Sequence, residues 1–217
     1  MPFADSEFRF KTKLDLTILL GKKATNVPSL LEGIRAIPDA SIYYHTHKFL
    51  QQHHYLSPEP PNDFAYWVTN VLNEASLGER LSSIDIIQFH TIGELRNRFI
   101  GIIDDYRRES ARVVESPSGE EFYFMASQTF VLETPYTART LEEFVRSLKE
   151  VTIQSLYFHM FDSRLRLEHE ENDFSVWFRK MGEVRLAEAV RRLDPYTQTL
   201  EGLRKRIIQL TEQYGKD

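Results

Sequence analysis

Ser41-Ile-Tyr-Tyr-His45 returns later in the chain as Ser155-Leu-Tyr-Phe-His159, and the fold reading starts from that recurrence. Asn62-Asp63-Phe64 followed by Trp67 returns as Asn172-Asp173-Phe174 followed by Trp177. Thr91-Ile-Gly-Glu-Leu95-Arg96-Asn-Arg98-Phe-Ile100 returns as Thr199-Leu-Glu-Gly-Leu203-Arg204-Lys-Arg206-Ile-Ile208, identical at half its positions. Unrelated stretches of average composition agree at roughly 6 % of positions. Three such blocks in one order therefore read as an internal duplication, which decides the fold question before any motif does.

The separation between matching residues shrinks from the histidines to the aspartates to the arginines, so insertions and deletions lie between the blocks. One falls at Ser57-Pro-Glu-Pro-Pro61, a loop by its prolines, where the second copy carries Arg166-Leu-Glu-His-Glu-Glu171. The turn formers Ser116-Pro-Ser-Gly119 mark the joint. The expected organisation is a first repeat unit over 1–115 and a second over 120–217, packed as one compact body.

Each copy opens on a strand pattern. Phe8, Phe10, Leu14, Leu16 and Ile18 alternate with polar residues, as do Phe122, Phe124, Phe130 and Leu132, the period of a half-buried strand. Helical stripes follow at Val27, Leu30, Leu31 and Ile34, at Leu141, Phe144, Val145 and Leu148, and after each Asn-Asp pair. Thr140-Leu-Glu-Glu143 and Thr91-Ile-Gly-Glu94 have the spacing of capping boxes. The class is mainly α (α+β), a duplicated unit of one or two strands and about five helices in a pseudo-two-fold arrangement, with the first strands of the two copies pairing.

Composition narrows the function classes. The chain has 217 residues, 41 % hydrophobic and 27 % charged, an ordinary globular balance. It has no cysteine, which removes thiolate catalysis and Cys-based zinc sites and fits a reducing cytoplasm. No apolar run approaches a membrane span, and no basic-then-apolar leader stands at Met1-Pro-Phe-Ala-Asp-Ser. The net charge of −5 argues against nucleic acid as a partner.

Four of the seven histidines lie between His45 and His54, but His45 and His47, like His53 and His54, diverge on a helix and no His-Glu-x-x-His is present. No metal site is expected. His45 sits on the apolar line Ile42, His45, Phe49, Leu56, and His159 follows Leu156 in the same way. A histidine on such a face needs partners for both ring nitrogens. The recurring ones are Asn62 or Asp63 and Asn172 or Asp173. A His–Asp pair can make a general base, so His45, Asp63, His159 and Asp173 are the catalytic candidates. Tyr43, Asn62, Tyr157 and Asn172 are the candidate pocket lining. The preferred reading is structural: core histidines, with Asn62-Asp63 and Asn172-Asp173 as helix starts and Trp67 and Trp177 as packing anchors.

Gly21-Lys22-Lys23-Ala-Thr25 lacks the first glycine of a phosphate loop, since position 16 is Leu. No cofactor is expected. Arg96, Arg98, Arg107, Arg108, Arg204, Lys205 and Arg206 interleave with acids such as Asp104, Asp105 and Glu109, which reads as a solvated face laced with ion pairs.

Ser41-Ile-Tyr-Tyr-His-Thr-His47 with Tyr55-Leu-Ser-Pro-Glu-Pro-Pro-Asn-Asp-Phe-Ala-Tyr-Trp67, together with the second-copy blocks and Asp194-Pro-Tyr-Thr197, resembles the signature of a bacterial family known only as a domain of unknown function. The resemblance spans the chain. It implies a bacterial, cytoplasmic protein and brings no activity, catalytic residue or cofactor. The expected function is that of a non-enzymatic interaction or accessory protein, its partner a protein or a small molecule and its oligomeric state open. The alternative is an enzyme or small-ligand-binding protein with a His–Asn/Asp pocket in one or both repeats.

Overall fold

The computed structural model describes residues 7–48, 61–89, 91–162, 171–193 and 199–214. Two 17-residue strands, β1 (Phe8–Ala24) and β2 (Phe122–Ala138), form a two-stranded antiparallel sheet. The expected class, mainly helical α+β, is the class found.

After β1 come α1 (Val27–Ala36), α2 (Asp39–Tyr43), a π-helical turn (Tyr44–Lys48), α3 (Asp63–Asn70), α4 (Ala75–Ser82) and α5 (Ile92–Glu109). After β2 come α6 (Leu141–Glu150), α7 (Ile153–Tyr157), a second π-helical turn (Phe158–Asp162), α8 (Asp173–Lys180), α9 (Val184–Arg191) and α10 (Leu200–Tyr214). A 3₁₀ turn, Ile86–Gln88, precedes α5. The two series match in order, and the lengths match up to the last helix, 18 residues in α5 and 15 in α10.

Local chemistry explains the helix starts. Thr91 and Glu94 satisfy each other's backbone N–H groups in a complete capping box. At α6 the expected box is only half formed. Thr140 accepts from the Glu143 N–H, but the Glu143 carboxylate accepts from the Arg139 N–H at 2.7 Å, one residue before the position the motif implies. The helix ends are closed by arginines of the third recurring block. Arg96 donates to the carbonyls of Ile34 and Ile37 at the end of α1. Arg204 donates to those of Leu148, Lys149 and Val151 at the end of α6. Each guanidinium thus meets carbonyls that a helix leaves open, at the end where positive charge is favoured.

The chain forms two compact units, and each strand is divided between them. One unit is Asp15–Gln128; the other is Met1–Leu14 with Thr129–Asp217. In the Asp15–Gln128 unit the core gathers Phe122 and Phe124 from β2 with Leu30, Leu31, Ile34, Phe64, Trp67, Leu95 and Phe99 from the helices. The Phe124 ring lies over Gly33 of α1 so closely that a Cβ there would fall 2.1 Å from Cζ. In the other unit Phe8 and Phe10 from β1 join Phe144, Leu148, Phe174, Trp177, Phe178, Leu203 and Ile207 in one apolar cluster. These unit limits differ from the repeat limits expected from sequence by the first half of each strand.

Strand alternation is read correctly only at these ends. Leu14, Leu16, Ile18 and Leu19 of β1 and Phe130, Val131 and Leu132 of β2 are exposed, although their pattern predicts a half-buried strand. The helices of each unit cover the Phe-x-Phe ends of the strands and leave these middle stretches uncovered. Gly21, Lys22 and Lys23 lie within β1 rather than in a loop, and Lys23 pairs with Glu121. Among the described residues, no helix is long and apolar enough to cross a membrane.

Candidate functional site

α3 begins where Asn62 folds its side-chain oxygen back onto the Ala65 N–H at 2.9 Å, while its amide donates to the Leu81 carbonyl. That fixes Asp63 as the first helical residue, where a carboxylate is favoured by the helix dipole. Asp63 Oδ2 lies 2.7 Å from His45 Nδ1. An ionised carboxylate only accepts, so Nδ1 carries the proton and donates. Nε2 is then left as an acceptor, and the Met125 N–H of β2 donates to it at 3.0 Å. One turn earlier Ser41 Oγ donates to the Met125 carbonyl at 2.5 Å. Ser41 and His45, four residues apart at the passage from α2 into the π-helical turn, therefore grip both backbone groups of a single strand residue. They do what a neighbouring strand would do in a ladder.

The other unit repeats the Ser–His–Asp grip. Asn172 caps α8 by accepting from Ser175 N–H. His159 Nδ1 lies 2.7 Å from Asp173 Oδ2. The Lys11 N–H of β1 donates to His159 Nε2 at 2.8 Å, and Ser155 Oγ donates to the Lys11 carbonyl at 2.6 Å. Both imidazoles are 2 % exposed. Phe8 and Phe10 pack on His159, with ring centroids 4.9 and 5.9 Å away, and Phe122 packs on His45 at 4.7 Å.

Residues 5–212 match a family of unknown function, DUF5752. The chain belongs to that family. Its signature is thus of the kind the sequence resemblance implied. The solved structure of OrfY from Thermoproteus tenax is similar to this chain, with a TM-score of 0.82 at 29 % identity, covering 99 % of this chain and 98 % of that one. No curated protein matches it.

In this DUF5752 chain the sequence-derived candidates meet only in part. Each histidine joins its aspartate, and each asparagine sits beside that pair as the helix cap. Tyr43 is buried and stacks on His47, centroids 5.5 Å apart, rather than on His45. Tyr157 is buried beside Phe161, with the Lys13 ammonium over its ring at 4.9 Å. His53, His54, Phe49, Leu56, the Ser57–Pro60 loop residues, residues 166–170 and the 194–197 block lie outside the described residues. Among the described residues no three His, Cys, Asp or Glu side chains gather as metal ligands.

Two features of the site went unassigned in sequence. The grip needs Ser41 and Ser155, which open the recurring blocks in plain view without a role. The second is a buried ion pair, Lys13 Nζ to Asp162 Oδ2 at 2.5 Å, in which both side chains are essentially inaccessible. The equivalent π-helical turn of the other unit ends in Lys48, which donates to Thr17 Oγ1 at 3.0 Å. No period or motif flags a buried lysine on a strand otherwise read as alternating. Two open grooves, about 510 and 460 Å³, lie elsewhere in the unit that holds His159. One is lined by Leu141, Val145, Lys149 and Thr211, the other by Glu7, Arg139 and Glu143.

Proposed function

We propose that this chain is a non-enzymatic interaction or accessory protein of the bacterial cytoplasm, built from a doubled unit, and that its recurring histidines hold strands rather than move protons. One observation carries the reading: each Nε2 lone pair is occupied by a backbone N–H, at 3.0 Å from Met125 and 2.8 Å from Lys11. A general base needs that lone pair free and within reach of a substrate proton. Asn62, buried like the imidazole, spends its side chain on capping α3 and on the Leu81 carbonyl. The exposed apolar stretch Leu16, Ile18 and Leu19 of β1 supports a protein as the partner class, since such runs are uncommon on strands without one. The lack of cysteine fits a reducing compartment.

The doubling is supported by the shared element order and by the two grips, whose His–Asp distances are both 2.7 Å. The left-handed residues between paired helices also correspond: Asn73 (φ 54°) between α3 and α4, and Gly182 (φ 88°) between α8 and α9.

The test is site-specific photocrosslinking in cells, with the reactive residue placed at Leu16 in one chain and at the exposed Glu150 in another. Discrete adducts from position 16 and none from position 150 are expected. Equal or absent crosslinking at both sites would overturn the interaction reading.

A further inference from the structure

Each unit closes on a strand carrying the same short pattern. β1 presents Phe8-Arg9-Phe10-Lys11 and β2 presents Phe122-Tyr123-Phe124-Met125. In both, the two phenylalanines enter the helical core and the next residue is gripped at its N–H and its C=O by a Ser and a His four residues apart. We infer that the helices α6–α8 with the π-helical turn Phe158–Asp162 form a receptor slot for an extended Phe-x-Phe-x segment, and that residues 8–13 occupy it as an exchangeable ligand. The slot reads three things. Phe8 meets the rings of Phe174 and Trp177 at 5.4 and 5.6 Å. Phe10 meets Phe144 at 5.5 Å. Beyond the gripped Lys11, the Lys13 ammonium reaches buried Asp162. This is strand addition in which main-chain hydrogen bonds give affinity and alternate side chains give specificity. The segment is distant in sequence from the helices that receive it, so a copy supplied in trans meets an identical set of contacts. Occupancy of the slot is independent of any foreign protein bound at the exposed strand residues.

The test uses the full chain with Phe8→Ala and Phe10→Ala, which weakens the resident segment, and a synthetic peptide of residues 7–14. The peptide is expected to raise the variant's melting temperature saturably by about 5 °C or more, as a ligand of the folded state does. A peptide methylated on the Lys11 backbone nitrogen lacks the donor that His159 accepts from and is expected to bind at least about tenfold more weakly. A peptide of residues 121–128 keeps both phenylalanines but carries Ser127 where the resident segment has Lys13, so it leaves Asp162 without its cation and is expected to bind at least about tenfold more weakly than that of 7–14. No shift from the 7–14 peptide, or equal shifts from it and its N-methylated form, would overturn the inference. If the variant does not fold, hydrogen exchange on the unaltered chain decides. The amides of 8–13 should open at lower free energy than those of α6, leaving the slot intact. Their exchange only together with α6 would overturn it.

Discussion

His159 is a small side chain with three obligations. It fills space among Phe8, Phe10 and Phe174, orients the Asp173 carboxylate, and satisfies the Lys11 amide. Truncation to Ala opens a cavity and leaves a strand N–H without its acceptor, so His159→Ala should cost about 3 kcal/mol in urea unfolding. Ser155→Ala removes only the hydroxyl that donates to the Lys11 carbonyl and should cost about 1 kcal/mol. A second residue makes a pH prediction. Tyr106 donates its phenol to the buried Glu74 carboxylate, and burial first, then that hydrogen bond and negative charge, hold its pKa above the ordinary value. The unfolded chain ionises first as pH rises. The stability this gives is therefore whole below the ordinary tyrosine pKa and is lost as pH climbs toward the raised folded value. Melting temperatures taken from pH 8 upward should fall over that window, and Tyr106→Phe should flatten the decline.

At the scale of elements, close approach and helix closure are the sensitive points. A Cβ on Gly33 collides with Phe124, whose ring anchors the β2 end in its unit, so Gly33→Ala should destabilise by roughly 1–3 kcal/mol despite the better helix propensity of Ala. Arg96 forks between two carbonyls at the end of α1 and the Asp39 carboxylate. Arg96→Lys keeps the charge but cannot span these acceptors, and should lose about 1 kcal/mol or more in chemical denaturation. These elements also show what sequence could carry. The stripes, the caps at Asn62, Asn172 and Thr91, and the pairing of the two first strands all rest on local pattern or on recurrence, and all were legible. The π-helical turns were not, because one extra residue in a turn leaves no periodic trace over five residues. Nor was the exposure of Leu16 and Phe130, since alternation reports that a strand has two faces and not whether a helix covers either. At the candidate site, the His–Asp partnership was legible from two recurring blocks. The strand amide that occupies the other nitrogen was not, because Lys11 and Met125 reach the histidines only through the fold.

At the scale of the whole molecule, each unit depends on a strand segment from the far side of the Ser116–Gly119 turn. Cutting the chain between Pro117 and Ser118 separates each Phe-x-Phe from its slot. Each fragment alone should melt at a lower temperature by circular dichroism than the uncut chain, and an equimolar mixture should recover the higher transition.

Interleaved units also set a schedule for synthesis. The ribosome releases Phe8 and Phe10 long before the rings of Phe174 and Trp177 that shelter them. At the usual pace of translation that interval is roughly ten to thirty seconds. Throughout it the nascent chain carries a bare aromatic strand with nothing to close on. A chaperone that holds extended aromatic segments would find its substrate in this strand, and would have to let go only when α8 arrives.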